Sequence, residues 1–420
     1  MQNTENFLDK DFDSNCEKAA KALAEADVFL LFTGAGFSAD SGLAVYADVA
    51  RVPAYQARGL DYADICRPDL LSDNPELFYG FWGQCFNDYR DTQPHEGYSI
   101  LHQWKQDKKT AATGTVAKAI SAGIARKVEE RRPFDEEIVM RYAPYMVPPS
   151  ASPAGAFFSF TSNVDSHFHD VFEAQEIHEC HGNIESWQCS DPYCPAGVFR
   201  APLKYSFQVS TETMLAPRIA SNHNPTKNSA AAQATTTSED GVAHIGQTGG
   251  SRRTQPLKNM PPPKEPNNWC TPAVTPTGTD KKEEIVSSNW PQCRFCQKYA
   301  RPAVLMFQDS RWKRDIAQGE RWSLWKEAVL DLCHERKNNK PLKVCILEIG
   351  CGLNVPTCRD ESQSMVRDVT SKGGEVVLVR INPSPEESPG TEEDVRPCLI
   401  PIVSRGLRAI KKIDELYRAL

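Results

Sequence analysis

Val28-Phe29-Leu30-Leu31-Phe32-Thr33-Gly34-Ala35-Gly36-Phe37-Ser38-Ala39-Asp40-Ser41-Gly42-Leu43 joins an apolar run to a glycine turn. Val28 to Phe32 has the length and composition of a strand buried on both faces, and the small residues Thr33 to Gly36 stop it. Ahead of it, Ala19, Ala22, Leu23 and Ala26 fall on one face of a helix expected over 15–26. Helix, strand and glycine turn in this order make a dinucleotide-binding unit. Its glycines let the backbone approach a pyrophosphate, and a helix start beyond them offers free N–H groups and a positive dipole end. An ordinary strand-to-helix connection can look the same, so the surrounding chain must decide.

Working outward, buried strands are expected at Phe157–Thr161, Ala303–Phe307, Val344–Ile349 and Val376–Ile381, with helical segments at Pro75–Tyr89, Glu320–His334 and Ser404–Ala419. Short apolar runs separated by helices predict an α/β fold, a Rossmann-like parallel sheet covered on both faces. Two segments depart from this pattern. From about Ser206 to Ser288 the chain is dominated by Thr, Ser, Pro, Asn, Ala and Gly, too poor in apolar residues to offset the entropy of ordering. Residues 105–152 read as a second insertion, helical up to Glu130 and closed off by Pro148, Pro149 and Pro153. The expected division is therefore a Rossmann-like domain built from 1–104, 153–182 and 301–420, interrupted by that insertion and by a smaller module at 183–300.

The net charge of -7 and a pI near 5.8 argue against a basic nucleic-acid or membrane surface. No apolar run approaches the roughly 20 residues of a membrane helix, and Glu5, Asp9, Asp11 and Asp13 stand where targeting signals carry basic residues. The expectation is an intracellular protein, cytoplasmic or nuclear, whose 14 cysteines are reduced or bound to metal. Two close pairs support the metal. Cys189-x4-Cys194 and Cys293-x2-Cys296 can each fold into a knuckle that places two thiolates about 2.3 Å from one zinc. The remaining ten cysteines include no pair spaced so closely, and their nearest approach is Cys345, Cys351 and Cys358. The 98 residues between the pairs, 195 to 292, are mostly the low-complexity stretch, and loop-closure cost grows only logarithmically with length.

Three further segments carry chemistry. Thr161-Ser162-Asn163-Val164-Asp165 ends an expected strand, where ligands of an open parallel sheet bind. Asn163 and Asp165 can point into one crevice there, although Asp165 could equally make an Asx turn that caps a helix from Ser166. Of nine histidines, His181 in Glu179-Cys180-His181-Gly182-Asn183 is singled out by its place between the Asn-Asp segment and the first cysteine pair. An imidazole titrates near neutrality and suits a general base. Finally, Gly350-Cys351-Gly352-Leu353-Asn354-Val355-Pro356 follows an apolar run. With the preceding Leu-Glu-Ile it also looks like the cofactor motif of methyltransferases, but Asn354 replaces that motif's third glycine and only 68 residues follow Gly352.

Taken in order, these segments resemble the sirtuin family. Gly34 to Leu43 is similar to its Gly-Ala-Gly-x-Ser-x-x-Ser-Gly-Ile loop, Thr161 to Asp165 to Thr-Gln-Asn-Ile-Asp, and Cys180 to Gly182 to Ala-His-Gly. Arg301 to Asp309 resembles Arg-Pro-x-Val-Val-x-Phe-Gly-Glu, Gly350 to Pro356 resembles Gly-Thr-Ser-Leu-x-Val-x-Pro, and Ile381-Asn382 resembles an Ile-Asn that cradles the adenosine ribose. The resemblance implies an NAD-dependent protein-lysine deacylase with NAD as cofactor, a structural zinc on Cys189, Cys194, Cys293 and Cys296, and an acylated lysine of a protein as partner. Gly34, Ala35, Gly36, Ser38, Tyr46, Ser162, Gly350, Cys351, Gly352 and Asn382 would bind NAD together with Asn163, Asp165 and His181. Asn163 would position ribose or water, Asp165 the carboxamide, and His181 would deprotonate a ribose hydroxyl. Val304, Met306 and Phe307 would lie along the acyl-lysine peptide, added as a strand.

The resemblance breaks at Ala44-Val45-Tyr46-Ala47, where the family reads Pro-Asp-Phe-Arg. Tyr46 can replace the aromatic, the arginine is missing with Arg51 as its candidate replacement, and Ser162 stands for the family's glutamine. Two other readings stay open: an ADP-ribosyltransferase or NAD hydrolase, and a non-catalytic NAD-binding scaffold.

Overall fold

The computed structural model describes residues 11–45, 48, 51–111, 115–142, 154–203, 205–218, 288–388 and 393–420, with the backbone alone over 108–111 and 131–142. Tyr46 and residues 219–287 of the low-complexity stretch lie outside it.

Six strands form one parallel sheet in the order β3-β2-β1-β7-β8-β9, where β1 is Val28–Thr33, β2 Phe157–Thr161, β3 Ile177–Glu179, β7 Lys343–Ile349, β8 Glu375–Asn382 and β9 Leu399–Val403. The order runs outward from β1 in one direction and from β7 in the other, so the topological switch lies between those two central strands. Alternation along each strand feeds two cores. Leu30, Phe32, Phe158, Phe160, Ile346 and Leu378 face one side, and Phe29, Leu31, Phe157, Leu347 and Val379 the other. Burial of each such side chain contributes about 1.5–3 kcal/mol. Helices α1 (Phe12–Glu25), α3 (Glu96–Ala111) and α7 (Gly406–Tyr417) cover the second face. Helices α4 (Thr115–Tyr142), α5 (Ile316–Arg336) and α6 (Thr357–Ser371) cover the first.

Three expectations are corrected here. Within the supposed insertion, the described part of α4 belongs to the sheet's cover: Val116, Ile120 and Ile124 on one of its faces are buried with Trp325 and Ala328 of α5. Residues 303–307 do not extend the parallel sheet. Ala300–Val304 is β6, which pairs antiparallel with β4 (Gly182–Cys189) in a second, three-stranded sheet ordered β5-β4-β6, with β5 at Val198–Arg200. Helix α2 (Pro75–Asp91) packs on this small sheet rather than on the large one, through Phe78, Phe81, Trp82 and Phe86.

The small module also holds the beginning of the stretch expected to lack structure. Phe207, Met214 and Ala216 are buried beside α2, so this first part of the stretch is packed into the module. Arg90 ties helix to module. Its Nε and Nη2 donate to the two carboxylate oxygens of Glu185 at 2.7 and 2.6 Å, and its Nη1 donates to the carbonyls of Leu203 and Tyr205, each at 2.9 Å.

Candidate functional site

Sheet register sets the site before any side chain is considered. Glu179 pairs with Thr161, Thr161 with Thr33, Thr33 with Ile349, and Ile349 with Ile381, so these five residues form one row across the sheet. The residues just beyond that row are therefore neighbours: Cys180 and His181, Ser162 and Asn163, Gly34, Gly350, and Asn382. Five sequence segments become one wall along the carboxyl ends of the strands, where an open α/β sheet binds its ligands.

At the switch point the two glycine turns interlock. Gly34 N–H donates to Ile349 O at 3.0 Å, and Gly36 N–H donates to Gly350 O at 3.1 Å. A β-carbon on Gly36 would come within 2.7 Å of Gly350 Cα, and Gly350 itself has φ +64°, so neither position accepts a side chain without backbone movement. Beyond them the chain enters the short helix Ala35–Ser38, which carries Ser38 inward.

Ser38 joins the two motifs. Its hydroxyl donates to Asp165 Oδ2 at 2.5 Å and accepts from Asn163 Nδ2 at 3.0 Å, with all three side chains buried. The other carboxylate oxygen of Asp165 accepts from His167 N–H at 2.9 Å, the Asx turn that was its alternative reading. Ser162 follows β2, its N–H bonded to Thr33 O at 3.0 Å. The Ser162 carbonyl is a backbone partner of the His181 ring, whose Nε2 lies 3.2 Å from Thr357 Oγ1 at the start of α6. Burial lowers the imidazole's pKa below its ordinary value of 6.5, so the ring is a neutral base at neutral pH.

At the other end of the wall, Asn382 Nδ2 donates to Cys351 O and to Glu387 Oε2, both at 3.3 Å. Glu387, Thr357 and Cys358 join the site without having been read from the sequence, since each sits in a polar stretch after a strand, where neither period nor motif marks it. Arg51 does not reach the site: it is exposed and pairs with Asp48 at 3.0 Å. Val304 and Met306 bury their side chains in the small module's core. Leu305, 37 % exposed between them, donates its N–H to His181 O at 2.9 Å.

The four cysteines of the small module converge. Their Sγ atoms all lie within 4.8 Å of one another, with Cys189 to Cys296 at 3.4 Å and Cys194 to Cys293 at 3.7 Å. A tetrahedron with metal–sulfur legs of about 2.3 Å has edges of about 3.8 Å, so the set fits zinc. Cys189 closes β4, and Gln292 bridges to Tyr299 between the second knuckle and β6.

No family model matches the chain. A stretch of 91 residues is 29% identical to an NAD-dependent protein deacetylase of Shouchella clausii, covering 22% of this chain and 37% of that protein. A stretch of 84 residues is 31% identical to an NAD-dependent protein deacetylase of Oceanobacillus iheyensis, covering 20% and 34%. The chain is a distant relative of the sirtuins. It spans about a third of the length of these curated relatives. Among solved structures, a Sir2 homologue in complex with NAD shares 14% identity at a TM-score of 0.42, over 96% of this chain and 93% of that one. Sir2 bound to an acetylated peptide shares 12% at a TM-score of 0.38, over 95% and 94%. Against the sirtuin pattern, the loop arginine is replaced by Ala47, outside the described residues, and Ser162, whose N–H and hydroxyl both donate to Thr33 O, stands in the place of the family's glutamine.

Proposed function

We propose that the chain is an NAD-dependent protein-lysine deacylase. The observation that carries this reading is the Ser38 bridge. One hydroxyl holds Asn163 and Asp165 together at the switch point, while a neutral His181 stands at the next strand end. When bound, NAD supplies a ribose carbon that parts from nicotinamide.

Around it, the wall has a division of labour. The glycines let the turn Gly34-Ala35-Gly36 interlock with Gly350-Cys351-Gly352, and a pyrophosphate would lie against the backbone of these two turns, while Asn382 and Glu387 offer hydrogen-bonding groups to a ribose. Asp165 keeps a carboxylate at the inner end of the crevice for the carboxamide, and Asn163 turns its amide toward the cleaved bond. His181 accepts a proton from a ribose hydroxyl, its tautomer held by the Ser162 carbonyl. An acyl-lysine peptide lies along the segment after β6, where the Leu305–His181 backbone bond fixes its distance from the base. Cys189, Cys194, Cys293 and Cys296 would hold a zinc with four thiolates and leave it no open position, so its part would be to hold the module together.

The test is nicotinamide release by the purified protein with and without a panel of acylated lysine peptides. Release that needs a peptide and yields deacylated lysine supports the deacylase. Release without any peptide replaces it with an NAD hydrolase or ADP-ribosyltransferase, and no release under single-turnover conditions replaces it with a scaffold.

A further inference from the structure

The turn that carries His181 is held by buried side chains that the proposed chemistry does not use. β3 is an edge strand of the large sheet, so the outward-facing N–H of its last residue, Glu179, has no neighbouring strand to bond. Gln318, in the first turn of α5, supplies the missing partner, its Oε1 accepting from Glu179 N–H at 2.7 Å. The place of Gln318 is itself fixed by the helix cap, since Asp315 Oδ1 accepts from its N–H at 3.0 Å. On the inner side, Cys180 N–H continues the ladder to Thr161 O at 2.9 Å.

The Glu179 carboxylate closes the same structure from within. Its Oε2 accepts from Asn183 Nδ2 at 2.6 Å and from Gln318 Nε2 at 3.3 Å, and lies 3.3 Å from Nε2 of His169 in the short helix His167–Asp170, with all four side chains buried. Hydrogen bonds in such a low-dielectric place are stronger than in water, and together they leave the oxygen one position. Asn183 carries the constraint across the turn: while its Nδ2 bonds back to Glu179, its Oδ1 accepts from Ser186 N–H at 2.9 Å. Between these anchors Gly182 takes φ +74°, where a β-carbon would come within 2.0 Å of Ala303 O, and His181 O accepts from Leu305 N–H at 2.9 Å. The backbone before, at and after His181 is thereby tied to α5, to the segment after β6 and to β4. Only its side-chain torsions are left to the imidazole.

We propose that Glu179 is the positioning residue for His181, holding the backbone of the base at the row of strand ends through one buried oxygen, and that Gln318 is the clasp that fixes Glu179 to α5. The role needs an acceptor rather than a charge. All three side-chain contacts end on Oε2, and a glutamine carbonyl presents the same acceptor. An alanine presents none and leaves the donors of Asn183 and Gln318 buried without a partner, so the turn shifts to satisfy them. A shift of about 1 Å in a reacting group costs on the order of 100-fold in rate. The effect on rate rests on the proposed function, in which His181 is the base; the effect on the geometry of His181 does not.

The experiment compares the zinc-loaded full chain with Glu179→Ala, Glu179→Gln and Gln318→Ala, each well below its melting temperature so that only folded protein is read. It measures kcat for product formation at saturating NAD and acylated peptide, Kd for NAD by tryptophan fluorescence, and the His181 ring signals of protein labelled with 15N-histidine, assigned through His181→Ala. Glu179→Ala should lose on the order of 10- to 100-fold in kcat and shift or broaden the His181 signals, with Kd for NAD within about twofold of the parent. Gln318→Ala should change in the same direction by a smaller factor, and Glu179→Gln should keep kcat and signals near the parent. A purely structural role lowers the melting temperature and moves none of the three readouts. If Glu179→Ala does not fold, Gln318→Ala, which leaves every residue of the turn in place, decides. Unmoved His181 signals in the folded alanine variants, whatever kcat does, overturn the proposal, as does a Glu179→Gln variant as defective as Glu179→Ala. Displaced His181 signals in variants of a parent that releases no nicotinamide would leave the positioning role standing and remove the deacylase reading.

Discussion

Ser38 shows how one small side chain decides what its neighbours can do, since without its hydroxyl the amide of Asn163 and the carboxylate of Asp165 share no common partner. The two groups act at different steps, and substitution should separate them. Asn163→Ala should suppress nicotinamide release itself. His181→Ala should keep some exchange of labelled nicotinamide while product formation falls by roughly 100 to 10,000-fold, the range for a missing general base. Exchange and product assays under single-turnover conditions read the difference, and equal rates for parent and His181→Ala would discard the assignment. Because burial lowers the His181 pKa below 6.5, its neutral form persists on acidification, so the acid limb of the product-formation profile should fall below that pH. Ser38, Asn163 and Asp165 were marked as candidates in the sequence because each lies just past an apolar run, and His181 because it stands between the Asn-Asp segment and the first cysteine pair. Glu387 and Cys358 were not, because their role comes from the row of strand ends, which only register reveals.

At the scale of elements, hydrophobic periodicity found β1, β2, β7 and β8 nearly to the residue, since each is a run of apolar side chains buried on both faces. It passed over β3 and β5, each three residues long, and α6, whose buried Cys358, Met365, Val366 and Val369 are diluted by charged and polar neighbours. It also assigned α2 to the wrong sheet, because an aromatic helix face does not say which partner it meets. The buried Arg90–Glu185 pair supplies that specificity. Arg90→Ala leaves Glu185 uncompensated among apolar groups and should cost about 3–5 kcal/mol, read from urea unfolding. A cost below about 1 kcal/mol would mean that water reaches the carboxylate. The knuckles make a second test, since their spacing was visible while the distance between them was not. Purified protein should carry about one zinc per chain, and a Cys293→Ser, Cys296→Ser double variant should lose it with a lowered melting temperature. Undiminished zinc in a folded variant would sink the ligand set.

At the scale of the whole molecule, the long interruption inside the small module leaves and returns at one place. Ser288 Oγ donates to Arg218 O at 3.0 Å, and Asn289 Nδ2 donates to Pro217 O at 2.9 Å and to Gln208 O at 2.8 Å. The module is therefore closed by hydrogen bonds at the neck of the interruption. Composition of that segment, rich in Thr, Ser, Pro and Asn, gives it little apolar surface to bury. Replacing 219–287 by a short Gly/Ser linker should then leave the melting temperature and zinc content unchanged or slightly raised, because shortening a flexible loop lowers the closure cost by about 1–2 kcal/mol. Extending the deletion back to Ser206 should behave differently. It removes Phe207 and Met214 from the core beside α2, each contributing about 1.5–3 kcal/mol, and it also removes Gln208 and Pro217, the carbonyl partners of Asn289. Thermal unfolding of the two variants side by side locates the boundary of the module. If the shorter deletion is as destabilising as the longer one, the segment contributes to the fold and the composition argument fails. If neither destabilises, the packing of 206–218 against α2 is not what holds the module together.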